Sequence, residues 1–175
     1  MKHLFIFCLL LISSHGFAQE RVAPLIKNYG AIYDISEATV KPDPDLQYKI
    51  VVDAKTGGDK DELAFALNNV ARMLNLHVVG GVPPENLEVV VAVHGGATKA
   101  IMKNEAYQKR YEIDNPNTGL IEELKAAGVK LVVCGQSLTG RQIAPDEVLP
   151  QVEIGTSMLT TVSTYQLKGF AVFVF

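Results

Sequence analysis

Residues 48–62 read YKIVVDAKTGGDKDE. The first seven form a nearly unbroken apolar run, the pattern of a strand buried on both faces rather than one with a solvated side. Two glycines then permit a tight turn, and Asp59 with Glu62 fits the reciprocal N-cap arrangement of a helix start. Leu63, Leu67, Val70 and Leu74 follow at steps of four, three and four, a single apolar helical stripe. A strand, a glycine turn and a helix in direct succession form the opening of a parallel α/β unit.

Downstream the unit recurs. GGVPPEN (80–86) is a loop, and LEVVVAVHGG (87–96) is a second buried strand with its own glycine turn. Residues 99–111 read as one helix, closed by the turn formers DNPNTG (114–119). Leu120, Ile121, Leu124 and Ala127 mark another helix, with Gly128 placed for a left-handed cap. KLVVC (130–134) is the third strand, a short helix starts near Ser137, a further helix spans about 156–168, and FAVFVF (170–175) is a last strand. The expectation is a three-layer α/β/α sandwich on a mainly parallel sheet of about five strands, occupying residues 47–175. Residues 19–46, punctuated by Pro42 and Pro44, form an amino-terminal extended arm against the domain edge.

The first eighteen residues, MKHLFIFCLLLISSHGFA, join a basic start to a short apolar core and small residues at Gly16 and Ala18. They read as a secretory signal peptide cut after Ala18, so the chain is expected to be exported, to the periplasm or the medium. The apolar core is too short to span a bilayer, and no membrane insertion is expected after processing. Cys8 leaves with this leader. Cys134 is then the sole thiol, no internal disulfide is available, and the core alone must stabilise the fold. The remaining chain holds 15 basic against 19 acidic residues without a basic cluster, which argues against a nucleic-acid partner.

Ligands of open parallel sheets gather beyond the carboxyl ends of the strands. Three glycine turns meet that condition: 56–59, 94–98 and 134–137. Cys134 ends a strand where a helix begins, so free backbone N–H groups favour its thiolate, the nucleophilic form. The competing reading is a small buried hydrophobe at a strand end. Gln136 and Ser137 can donate hydrogen bonds to an added sulfur or an oxyanion. His94, followed by Gly95 and Gly96, closes the neighbouring strand as a candidate base or sulfur partner, or as a cap on local carbonyls. Arg141 either pairs with an anionic substrate or is solvated. His77 stands alone, so no metal site is expected. TGGDKDE lacks the Gly-Lys-Ser/Thr ending of a phosphate loop, and no cofactor is expected.

The segments YKIVVDAKTGGDKDELAFALNNVARML, LEVVVAVHGGAT, LIEELKAAGVKLVVCGQSL and the terminal GFAVFVF together resemble the DsrE/DsrF-like family over roughly residues 47–175. The resemblance implies sulfur relay, with Cys134 carrying sulfane sulfur as a persulfide in the manner of a sulfur carrier or sulfurtransferase. His94, Gly95, Gly135, Gln136, Ser137 and Arg141 would then line its site. It further implies sulfur donor and acceptor proteins or small thiols as partners, and a homo-oligomer of three or six chains. The alternative is a non-catalytic ligand-binding or assembly module with a structural cysteine.

Overall fold

The structure is a computed structural model that describes residues 19–175; the leader expected at 1–18, with Cys8, lies outside the described residues. Five strands form one sheet in the order β4-β3-β2-β1-β5. They are β1 (Tyr48–Ala54), β2 (Leu87–Val93), β3 (Lys130–Cys134), β4 (Glu153–Gly155) and β5 (Ala171–Val174). Every neighbouring pair is parallel. The expected fold class is therefore what the chain adopts.

The helices are α1 (Phe65–Val79), α2 (Asn104–Tyr111), α3 (Thr118–Ala126), α4 (Gly135–Gly140) and α5 (Met158–Leu167). Alternate residues of each strand point to opposite faces of the sheet. Ile50, Val52, Val91, Val93, Leu131 and Val133 pack with α1 and α3 in the main core, together with Leu67, Val70, Leu74, Leu120, Ile121 and Leu124. Val51, Val90 and Val132 turn the other way, onto Phe170, Val162 and Tyr165. The second layer is thin, because α5 alone covers it and none of its residues is buried.

Three expectations are corrected. The 99–111 helix is two elements: a 3-10 helix over Gly95–Ile101, then α2 from Asn104. Between them Met102 forms an isolated antiparallel bridge with Val148, and Lys103 N–H donates to the Glu147 carbonyl at 2.8 Å, so tertiary pairing holds the break extended. Asp59 and Glu62 do not cap α1. They close a turn of their own, with Asp59 N–H on Glu62 Oε2 at 3.1 Å and Glu62 N–H on the Asp59 carbonyl at 3.2 Å. The start of α1 is satisfied instead by the Gly57 and Thr56 carbonyls, which accept from Phe65 and Ala66, and by Asn117 Oδ1, which accepts from Ala64 N–H at 2.7 Å. The arm is not extended throughout. A Val22–Ile32 bridge folds it back on itself, Ile26 and Ile32 bury, and it lies on α1 through Asn68 and Asn75 and on α3 through Asn28 and Glu123. Gly128 takes φ +85°, the left-handed cap its position predicts.

Candidate functional site at the carboxyl ends of β1, β2 and β3

The three turns singled out in the sequence meet at the carboxyl edge of the sheet. His94 N–H donates to the Ala54 carbonyl at 3.0 Å and Ala97 N–H to the Lys55 carbonyl at 3.0 Å, tying the turn after β2 to the turn after β1. Gly57 lies so close to Gly96 that an added Cβ would stand 2.4 Å from the Gly96 carbonyl oxygen.

Cys134 is the last residue of β3 and immediately precedes α4. It keeps 6% exposure, and neither the cleft lined by Gly57, Lys99 and Arg141 nor the one lined by Ile154, Gly155 and Thr161 includes it. Burial pushes its thiol up, but the backbone N–H of Met158, the Ser137 hydroxyl and the N–H groups of Ser137 and Gln136 outweigh it and hold the thiol below its ordinary value. The donors come from the start of α4 and the start of α5, where free amides and the helix dipole favour a negative charge. Gln136 contributes through its backbone N–H, and the residue is exposed.

Met158 went unrecognised in the sequence. It reaches the sulfur because β4 pairs with β3, Cys134 opposite Gly155, and delivers the start of α5 to the end of β3. Gly135 permits that approach, since a Cβ there would lie 2.9 Å from the Gly155 carbonyl oxygen. The lowered thiol also links stability to pH. With the folded value below the unfolded one, the stabilisation is complete above the unfolded thiol's value and is lost as pH falls through the folded one.

His94 sits beside Cys134 in register. Val93 pairs with Val133, so the next residues, His94 and Cys134, occupy matching places on strands about 4.8 Å apart. No hydrogen bond joins the two among the described residues; His94 Nε2 instead meets Asp53 Oδ1 at 2.5 Å. Asp53 also escaped the sequence reading, although an acid inside the apolar run of β1 was a signal. Gly95, at φ +54°, packs on the Lys55 side chain and accepts from Thr98 Oγ1 at 2.9 Å through its carbonyl.

Arg141 is not gathered with the others. It lines a cleft of about 620 Å³ with Gly57, Asp59, Lys99, Arg110 and Tyr111, and neither Cys134 nor His94 forms part of that wall. Arg110 there is paired with Glu147 at 3.0 Å. Among the described residues no group of three or more His, Cys, Asp and Glu side chains is placed to hold a metal, and no helix is long and apolar enough to cross a membrane.

A single five-stranded parallel sheet with helices, carrying a cysteine at a strand end beside two helix starts, defines an α/β protein of the DsrE-like fold class. A model of the DsrE/DsrF-like family matches residues 48–175, and the chain belongs to that family. Among solved structures it is similar to the ychN protein from E. coli, at 26% identity and a TM-score of 0.54, over 73% of this chain and 99% of that one. It is also similar in fold to MTH1491 from Methanobacterium thermoautotrophicum, a protein of unknown function, at 16% identity and a TM-score of 0.56, over 73% and 98% of the two chains. No curated protein matches the sequence. Family membership connects the chain with a fold of sulfur relay.

Proposed function

We propose that the protein carries sulfane sulfur as a persulfide on Cys134, after export. The observation that supports this most is the place of Cys134, at the end of β3, directly before α4 and paired with Gly155 just ahead of α5, where helix-start amides favour the thiolate despite its burial. The thiolate attacks the outer sulfur of a donor, a new S–S bond forms, and the donor's own bond to that sulfur breaks with its electron pair leaving on the donor. With thiosulfate the leaving group is sulfite, and the product is Cys134–S–S⁻. On this reading the same donors stabilise the charge on the added sulfur. An acceptor thiolate then takes the outer sulfur and regenerates the Cys134 thiolate.

The donor carries sulfane sulfur, as a persulfide, a polysulfide or thiosulfate, and the acceptor is a thiol, each small or protein-borne. The assembly implied by the resemblance, three or six chains, has a candidate face in α5 and the edge strand β5. Leu159 and Leu167 on the helix and Val172, Phe173 and Val174 on the strand leave their apolar surface exposed. A sedimentation mass of one chain would remove that assignment.

A second reading has its own support. Cys134 is only 6% exposed, and a cleft of about 620 Å³ lies elsewhere, as expected of a ligand-binding module with a structural cysteine. Incubation with thiosulfate or polysulfide followed by mass spectrometry separates the two. Sulfur transfer predicts a gain of one sulfur mapped to the Cys134 peptide and lost in Cys134→Ser. An unmodified Cys134 after incubation with both donors would leave the binding module.

A further inference from the structure

Asp53 and His94 form a pair that the stabilisation of the thiolate does not use. Their side chains are mostly removed from solvent, His94 14% and Asp53 21% exposed, and are joined at 2.5 Å. Val51, Val90 and Val132 mark the sheet face that lies under α5. Asp53 follows Val51 by two residues, His94 follows Val90 by four and Cys134 follows Val132 by two. The backbone is still extended at His94 (φ −155°, ψ −170°) and at Cys134 (φ −69°, ψ 115°). Strand alternation therefore sends all three side chains to the same face, from three adjacent strands. His94 is the middle member, beside Cys134 in register and bonded to Asp53.

We infer that Asp53 is a positioning residue for sulfur transfer at Cys134, holding His94 so that its free ring nitrogen handles the proton of the thiol that leaves or enters. The inference rests on the carrier reading above. An ionised Asp53 accepts the Nε2–H of His94, which fixes the ring in one tautomer, leaves Nδ1 as the basic nitrogen and offsets the charge of the imidazolium.

The step balances without an outside oxidant or reductant. The Cys134 thiolate attacks the outer sulfur of a donor R–S–SH, the Cys134–S bond forms, the donor S–S bond breaks, and the electron pair leaves on R–S⁻. The His94 imidazolium then gives its Nδ1 proton to R–S⁻. On discharge, neutral His94 takes the proton of the acceptor thiol, whose thiolate removes the outer sulfur. The donors around Cys134 are backbone N–H groups and one hydroxyl, so His94 need not serve as the counter-ion of the thiolate.

Further charged groups at this edge are Lys55, whose stem lies against Gly95, Cys134 itself, and the carboxylate of Phe175, the last residue of the chain, whose oxygen accepts from the Lys55 and Thr56 N–H groups at 2.9 and 3.2 Å while its N–H donates to the Asp53 carbonyl at 2.9 Å. The first turns of α5 above this face, Met158 to Ser163, carry none.

Two donors separate proton handling from mere support. A small-thiol persulfide such as glutathione persulfide leaves a strongly basic thiolate that needs a proton, whereas thiosulfate leaves sulfite, a much weaker base. Rates of sulfur loading on Cys134 are measured against pH for the full protein and for Asp53→Asn and Asp53→Glu. Asp53→Asn is expected to slow loading from the persulfide at least about tenfold and to shift its pH profile, to leave loading from thiosulfate within about twofold, and Asp53→Glu is expected to recover part of the loss. Equal slowing with both donors, or no slowing with either, overturns the role of Asp53. No sulfur on wild-type Cys134 from either donor overturns the carrier reading on which it rests.

Discussion

Asn75→Ala is expected to release the amino-terminal arm and to lower the stability of the domain by about 4 kcal/mol. Asn75 has no solvent exposure and holds the arm with both ends of its amide. Oδ1 accepts from Leu25 N–H at 3.0 Å and Ile26 N–H at 2.9 Å. Nδ2 donates to the carbonyls of Ile26, Tyr29 and Gly30 at 3.2, 3.0 and 3.1 Å. Alanine removes every one of these partners at once, and each buried backbone group left unpaired costs about 1–3 kcal/mol before water or movement relieves it. The arm cannot slide to repair the loss. Gly30 is at φ +61°, and a Cβ there would lie 2.4 Å from Arg72 N, so the backbones of arm and helix already touch. Chemical denaturation of the variant, with limited proteolysis across residues 22–32, measures both effects. A loss below about 1 kcal/mol with an equally protected arm would contradict this account.

Gly57→Ala carries the second large effect, a loss of about 3 kcal/mol together with slower sulfur loading on Cys134. The added Cβ would meet backbone, the Gly96 carbonyl oxygen at 2.4 Å and its carbon at 2.7 Å, and neither can rotate away. The turn is also anchored elsewhere. The Thr56 and Gly57 carbonyls satisfy the first amides of α1, and the Lys55 carbonyl accepts from Ala97 N–H. Relief of the clash must therefore displace the start of α1 or the turn that carries His94. Gly140→Ala is the control: nothing lies within 4 Å of its Cβ position in α4, and the substitution should be neutral or stabilise by up to about 1 kcal/mol. Unfolding midpoints of the two variants compare them directly. Equal stability would show that the close approach of the two turns does not constrain the protein.

Strands β1, β2 and β3 were legible because burial on both faces leaves nearly continuous apolar runs, and that burial is what a parallel sheet beneath helices imposes. β4 was not legible. Its residues Glu153, Ile154 and Gly155 are few and poorly buried, and they form a strand only because the edge of β3 pairs with them. The missed donor at Cys134 follows from this, since Met158 reaches the sulfur by way of β4. Cys134 and Ser137 could be read from local order alone, a strand end followed by a helix start. Arg141 was grouped with them by nearness in sequence, but it lines a cleft to which Cys134 does not contribute. Asp53 was hidden by the opposite circumstance: its partner His94 lies 41 residues away, and only strand register brings the two together.

The pH dependence of Cys134 alkylation in the native protein tests most directly whether the sulfur is a reachable thiolate. Its donors place the folded thiol below the ordinary value, so the rate should reach half its maximum at a lower pH than a free thiol such as glutathione treated with the same reagent. Ser137→Ala should move that midpoint upward. Labelling that requires denaturant, or a midpoint at or above the free thiol's, would contradict the account.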